Sequence, residues 1–382
     1  MDPLDLSEEQ REVQALTREF AQAEIAPHAA EWDREERVPR EVIGQLAELG
    51  LLGICVPDEY GGAGHDYLSY VLALEELSRA DAGVGVAVAV HTAAGTMPVV
   101  LHGTDAQRER YVPRLAAGEV IAAFALTEPE AGSDATAIRT RAEPVDGNGG
   151  GWSVSGRKQW ITNGGFAGFF VLFARTASGP TAFCAEPGPG FEVTGEQRKM
   201  GLHSSSTVEL AFDGYRLPDD ALLGHEGRGM QIALSTLDGG RIGIAAQAIG
   251  IAQAAFDLAV EYAGTRHAFG GPIARFQAIQ WKLADLSMRL DAARLLCYRA
   301  ARLKSAGRPH TAEGAKAKLF ASTLAREATS EAIQILGGYG YSKEFPAERY
   351  YRDAKVTELY EGTSEIQRLV IARSILGEAA RG

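Results

Sequence analysis

The chain is poor in cysteine, with Cys55, Cys184 and Cys297 the only three among 382 residues, odd in number and far apart. That spacing excludes a disulfide framework and any Cys-x-x-Cys metal or redox site, and buried free thiols are the expectation. No apolar run approaches the roughly 18 residues that a bilayer-crossing helix needs, so membrane insertion is not expected. The opening MDPLDLSEEQREVQALTREF lacks the basic start and apolar core of a signal peptide and the Arg-rich, acid-poor look of a transit peptide. A cytoplasmic location is therefore expected. Positive charge is in short supply: 38 basic against 50 acidic side chains leave a net charge of -12, which repels a phosphate backbone. Nucleic acid is not an expected partner. The eight histidines form no HExxH or HxH pair, so no metal ligand set can be drawn. GxGxxG and GxxxxGK[ST] are missing too, and any nucleotide must be held without a Rossmann or Walker cradle. No GxSxG nucleophile signature occurs.

What is there is a globular composition, 46% hydrophobic and 23% charged, long enough for two or three domains. Over residues 1–119 apolar positions recur at three and four, as in Leu16, Phe20, Ile25 and Val42, Leu46, Leu49, which predicts an N-terminal helical domain. Between 120 and 228 the texture changes to short apolar runs, WSVSGRKQWITNG, FFVLFART, TAFCAEP and TVELAFDGYRLP, separated by turn residues. A small β domain, barrel-like or sandwich-like, is predicted there. The GNGGG of 147–151 reads as a hairpin tip. From 229 to 382 helical spacing returns at about 230–263, 276–305 and 311–336, long Ala-rich stretches suited to antiparallel packing in a bundle. A shorter helix closes the chain at 365–376, with Ser364 and Gln367 in a capping-box pattern. The fold class is α+β, mainly α.

Four segments carry a family resemblance: FALTEPEAGSDA at 124–135, WITNGG at 160–165, QILGGYGY at 334–341 and PAERYYRDAKVTELYEGTSEIQRLVIAR at 346–373. Together they resemble the FAD-dependent acyl-CoA dehydrogenases, most closely the short-/medium-chain and short-branched-chain branch. The resemblance implies an N-terminal helical domain, a middle β domain and a C-terminal four-helix bundle. It also implies FAD and conversion of a short- or medium-chain acyl-CoA, straight or branched, to trans-2-enoyl-CoA in fatty acid or branched-chain amino acid breakdown. Such a reaction needs a base for the α proton, a stabiliser for the thioester oxyanion and a hydride acceptor. Glu361 in YEGTSE matches the family's base. Burial beside flavin and acyl chain would raise its pKa; a solvated Glu just before a helix is the competing reading. Other branches carry the base where this chain has Gly240, which has no side chain to serve.

The same resemblance assigns further positions. Thr127 is expected at the isoalloxazine edge and Ser133 at the pyrophosphate or the CoA diphosphate, with Phe124 and Leu126 giving backbone contacts. Glu130 stands where many members carry Gly. Trp160 and Thr162 are expected to pack on the flavin and to hydrogen-bond its hydride-accepting nitrogen; a strand-end core Trp and a turn Thr are the alternatives. Asp238 and Arg241 match positions near the CoA arm and active site, or form a helix-surface ion pair at spacing three. Tyr360 and Gly362 flank the base on the substrate side. Arg266, Phe269 and Gln277 match a segment that reaches the FAD of a neighbouring subunit, and Gln334, Ile335, Gly337 and Gly338 one that meets its adenine half. Thr363 and Glu365 open the last helix, where free N–H groups suit polar cofactor atoms. A helix from about Tyr70 to Met97, with Gly85, Ala87, Ala89 and Ala93, is expected to line the acyl pocket. A shared cofactor demands a homo-oligomer, by family habit a tetramer, and reduced flavin passes electrons to an electron-transferring flavoprotein. An acyl-carrier-protein-linked dehydrogenase, a flavin oxidase and a non-catalytic FAD-retaining protein are the rival readings.

Overall fold

A computed structural model describes residues 5–145 and 150–380; residues 147–149 of the GNGGG tip lie outside the described residues. The chain opens with α1 (Glu8–Phe20), whose start is fixed by a reciprocal capping box between Ser7 and Gln10. Next come α2 (Ala29–Glu35), α3 (Arg40–Glu48) and α4 (Tyr67–Ala80). A continuous helical run follows, α5 (Ala82–Ala89), a π-helical stretch Val90–Thr96 and α6 (Met97–His102), and then α7 (Asp105–Ala116). The one helix expected over Tyr70–Met97 is therefore two. Asp81 leaves the helical region (φ -151, ψ 118), and its carboxylate caps α5 by accepting from the N–H groups of Gly83 and Val84. An aspartate at that point stabilises a new N-terminus better than a continued turn.

The middle of the chain forms β1 (Ala122–Ala125), β2 (Arg141–Pro144), β3 (Trp152–Thr162), β4 (Phe169–Thr176), β5 (Gly179–Ala185), β6 (Phe191–Glu196), β7 (Thr207–Leu217) and β8 (Leu222–Leu223). One sheet joins them in the order β6-β7-β3-β2-β4-β5-β8, with β1 parallel to β4. The unbroken apolar run of β4 is explained by burial on both faces. Phe169, Val171 and Phe173 pack with Tyr111 and Leu115 of α7, while Phe170, Leu172 and Ala174 pack with Val154, Leu210 and Phe212 of the sheet itself. Bulges interrupt the pairing of β3 with β7 between Val154 and Gly156 and between Lys158 and Ile161.

The last third is α8 (Gly229–Thr265), a two-residue ribbon β9 (His267–Ala268) with β10 (Gly271–Pro272), α9 (Gln277–Ser305), α10 (Thr311–Leu336), α11 (Ala347–Val356) and α12 (Ser364–Leu376). The mainly α, helix–sheet–helix fold class expected from the sequence is what the structure has. The largest core ignores chain order: Leu68, Tyr70 and Leu74 of α4 pack with Ile242 and Ala246 of α8, Ala293 of α9 and Ala321 of α10. Three expectations need correction. The cap of α12 is Thr363, whose hydroxyl accepts from Ile366 N–H at 3.4 Å, and Ser364 is already helical. Two helical runs, Ala82–His102 and Gly229–Thr265, are long and apolar enough to cross a membrane, although most of each lies buried inside the protein as core. Cys184 and Cys297 are buried free thiols, but Cys55 is only partly so.

Candidate active site

Glu361 follows α11 in a tight turn made of two left-handed residues, Glu361 (φ 52) and Gly362 (φ 87). A side chain at φ > 0 is strained, so the turn must be held from outside. Gln367 of α12 holds it by donating from its amide to the carbonyls of Glu361 (3.2 Å) and Gly362 (2.8 Å). Lys318 of α10, fully buried, donates from Nζ to the same Gly362 carbonyl at 2.7 Å. Tyr360 bonds Gln247 of α8, whose amide donates to the Ala82 carbonyl at the start of α5.

The Glu361 carboxylate lies on a glycine face of α8. A Cβ added to Gly240 would come within 2.5 Å of Glu361 Oε2. One residue back, the Tyr67 hydroxyl donates to the Gly239 carbonyl at 2.9 Å; one turn on, a Cβ at Gly243 would stand 3.0 Å from the Tyr70 hydroxyl. Oε2 of Glu361 is enclosed without a hydrogen-bond partner. Burial pushes the carboxyl up to about 7, against the pull of Lys318 and Arg241. The solvated reading of this Glu is thereby overturned. Arg241 pairs with Asp238 at 2.5 Å, and Asp238 also accepts from Thr311 at 2.6 Å. The ion pair at spacing three thus exists, but with Arg241 buried and its Nε unpartnered.

A second group of expected residues meets where β1 and β3 end. The bulge after Lys158 turns Trp160 left-handed (φ 63) and leaves it 55% exposed, so it is no core Trp. Thr162 is half-buried opposite Thr207 on β7. Gln159 N–H donates to the Thr127 carbonyl at 2.9 Å, tying the TEPEAG loop to this strand. Lys158 and Glu128 escaped the sequence reading, although both stand inside the quoted runs. Lys158 is wholly buried, and its ammonium donates to the Leu126 carbonyl (2.9 Å) and to Glu128 (2.7 Å). Glu128 in turn accepts from the N–H groups of Arg139 and Thr140. Asn163 was missed as well; it is left-handed and buried, and its amide donates to Ala87 of α5 and Ala122 of β1. The half-buried Phe124 ring packs edge-on against Phe173, Leu126 is buried, and Ser133 and Glu130 are exposed, Glu130 pairing with Arg139. An exposed indole face, two threonine hydroxyls and the peptide edge after β1 fit a flavin ring by their chemistry: one flat apolar surface rimmed with donors and acceptors.

The remaining residues lie elsewhere. Arg266, Ile335, Gly337 and Gly338 line a pocket of about 530 Å³ with Tyr262 and Tyr339, and the Arg266 guanidinium sits 5.8 Å from the Tyr339 ring centre. Phe269 is 90% exposed at φ 52; Gln277 and Gln334 are exposed and do not line that pocket. Arg266 caps the C-terminus of α8, 26 residues beyond Gly240 and roughly 39 Å away at the helical rise. In one chain this pocket is remote from Glu361. Thr363 caps α12, and Glu365 is exposed in its first turn.

Comparison with known proteins bears on the chain as a whole. Family models match in order: the acyl-CoA dehydrogenase N-terminal domain over residues 7–119, the middle domain over 123–215 and the C-terminal domain over 227–376. The chain belongs to the acyl-CoA dehydrogenase family. It is an oxidoreductase whose cofactor is FAD. It is 48% identical to the mitochondrial short-chain specific acyl-CoA dehydrogenase of Bos taurus, over 98% of this chain and 91% of that one. Butyryl-CoA dehydrogenase from Megasphaera elsdenii superposes with a TM-score of 0.96 at 44% identity, covering 98% and 100% of the two chains. A chain in a structure described as the electron transferring flavoprotein of Acidaminococcus fermentans gives a TM-score of 0.97 at 44% identity, covering 99% and 100%.

Proposed function

We propose that the protein oxidises short-chain acyl-CoA thioesters to trans-2-enoyl-CoA, with Glu361 as the base that takes the α proton. The observation that carries this reading is the enclosed, unpartnered Glu361 Oε2, held by a strained turn against a glycine face of α8. A carboxylate stripped of hydrogen-bond partners and raised to about 7 is suited to proton removal near neutral pH. Bound FAD supplies the hydride acceptor. Thr127, Trp160 and Thr162 would hold its ring, with the peptides of Phe124 and Leu126 beside them and Ser133 toward the diphosphates. The backbone N–H of Glu361, fixed by the clamped turn, would donate to the thioester oxygen as charge develops there. Asp238 and Arg241 would meet the polar arm of the substrate, and Tyr360 and Gly362 would border it.

Short chains are favoured by similarity to the bovine and Megasphaera enzymes and by two buried phenols, Tyr67 and Tyr70, that fill the space on either side of Gly240. The remote pocket around Arg266 and Gly337 would serve the cofactor of a second copy, with Phe269, Gln277 and Gln334 beside it and Thr363 and Glu365 near the flavin of their own chain. We therefore read the protein as a homotetramer, with an electron-transferring flavoprotein as acceptor, in accord with the Acidaminococcus similarity. Anaerobic titration of the FAD-loaded protein with acyl-CoAs of rising chain length tests the function. Bleaching of oxidised flavin should be strongest with butyryl-CoA and fall steeply with longer chains. Equal bleaching by long chains, or none with any CoA ester, would refute the assignment.

A further inference from the structure

We propose that Lys318 is a positioning residue for Glu361, whose ammonium both clamps the left-handed turn and favours the ionised carboxylate without pairing to it. The inference rests on the reading of Glu361 as the base. Lys318 comes from the third turn of α10 and is wholly buried, an expensive place for an ammonium. Its hydrogen bond goes to the Gly362 carbonyl at 2.7 Å, and among the described residues it makes no ion pair within 4 Å. A buried lysine with a backbone carbonyl and no carboxylate partner is not a stability device, since a buried charge normally requires compensation. The negative group it faces without touching is Glu361.

The surroundings leave this task to Lys318. The groups facing Glu361 are Arg241 from α8, Lys318 from α10, the phenols Tyr67 and Tyr70 from α4 and the neighbouring Tyr360. Arg241 is already bound to Asp238, which offsets its charge. The phenols are held neutral by burial. On the far side of Lys318, Glu358 is occupied by Arg326 (3.1 Å) and Lys355 (2.6 Å). Of the two cations that act on Glu361 among the described residues, Lys318 is thus the one not offset by a directly bonded carboxylate; Lys304 of α9 sits instead over the Tyr67 ring, 4.7 Å from its centre. Burial lowers its own pKa to about 8, so it is mostly protonated at pH 7. A direct salt bridge would cover the carboxylate oxygen that must reach the substrate. A cation anchored one residue away, on the next carbonyl, favours the ionised form and leaves that oxygen open.

The test uses FAD-loaded wild type, K318M, K318Q and E361Q, with anaerobic flavin reduction by butyryl-CoA followed from pH 5.5 to 8.5. K318Q retains a donor for the Gly362 carbonyl and loses the charge, which guards against a failure of K318M to fold. The acid limb of both Lys variants should move up by about one pH unit. Reduction at pH 7 should fall about fivefold or more, and most of the loss should be recovered by pH 8.5. A fifth protein, K318R, with charge retained, should keep the wild-type limb. An unshifted limb in FAD-retaining K318Q would overturn the role of Lys318. Undiminished reduction by E361Q would instead overturn the base assignment on which it rests.

Discussion

Glu361 combines a left-handed backbone with a carboxylate oxygen that has no partner, and both features oppose folding. The pH dependence follows with a definite sign. Its carboxyl sits at about 7 when folded, against an ordinary value near 4.3 in the unfolded chain. Between those values the folded state holds more protons than the unfolded one, so stability falls as pH rises through the window and stays reduced above it. E361Q should therefore melt at a higher temperature than wild type at pH 8, and the gap should shrink toward pH 4. Thermal denaturation at the two pH values checks this. The residue itself was legible, because YEGTSE stands in a motif read as a whole. Lys318 was not, since in the Ala-rich TAEGAKAKLFAS a lysine reads as a solvated face, and only the tertiary fold buries it with its ammonium on the Gly362 carbonyl. The glycine at 240 was noticed for what it lacks; that a side chain there would collide with the carboxylate is a tertiary fact.

Among the elements, the loop between β1 and β2 shows how a site is built from a strand behind it. Lys158 of β3 bonds the Leu126 carbonyl and the Glu128 carboxylate, Gln159 bonds the Thr127 carbonyl, and Glu128 gathers the N–H groups of residues 139 and 140. The peptide of Thr127 is thus fixed on both sides. K158M should leave Glu128 buried and uncompensated, destabilising the protein by about 3–5 kcal/mol and releasing FAD during gel filtration. The double variant K158M/E128Q, which removes the buried charge while an amide oxygen still accepts from residue 139 or 140, should regain part of that stability while still binding FAD weakly, as melting curves and flavin content would show. Strand and helix positions were largely readable, β4 from its continuous apolar run and α9 from its helical spacing. Boundaries failed where two residues of similar chemistry compete. Thr363 rather than Ser364 caps α12, and Asp81, inside an apolar stretch that reads as one helix, starts a second one.

Across the whole molecule, α8 links two places that one chain cannot bring together, the Glu361 carboxylate and the pocket around Arg266 and Gly337. A face of α9 carries Trp281, Met288 and Leu295, seven residues apart and exposed, with Leu369, Ile375 and Leu376 exposed on α12. Apolar side chains repeated at that spacing form a continuous stripe of the kind covered in oligomers. If the proposed tetramer buries this stripe, replacing Trp281 and Met288 together by lysine should lower the mass measured by light scattering and weaken FAD retention. The expectation that no apolar run could span a bilayer failed for a related reason. The long helices are apolar all round because they pack on every side, and composition alone does not separate a core helix from a membrane span. The stripe on α9 was not legible in sequence, since an exposed stripe on a helix looks like a core stripe until the fold shows which face is free.

Whether Glu361 takes the α proton of a short acyl thioester is decided by anaerobic flavin bleaching of wild type and E361Q with butyryl-CoA. Wild type should bleach fully. E361Q should retain FAD and bind the thioester, seen as a shift of the flavin spectrum, yet bleach at least several hundredfold more slowly, as loss of a general base predicts. Bleaching of E361Q at the wild-type rate would contradict the account.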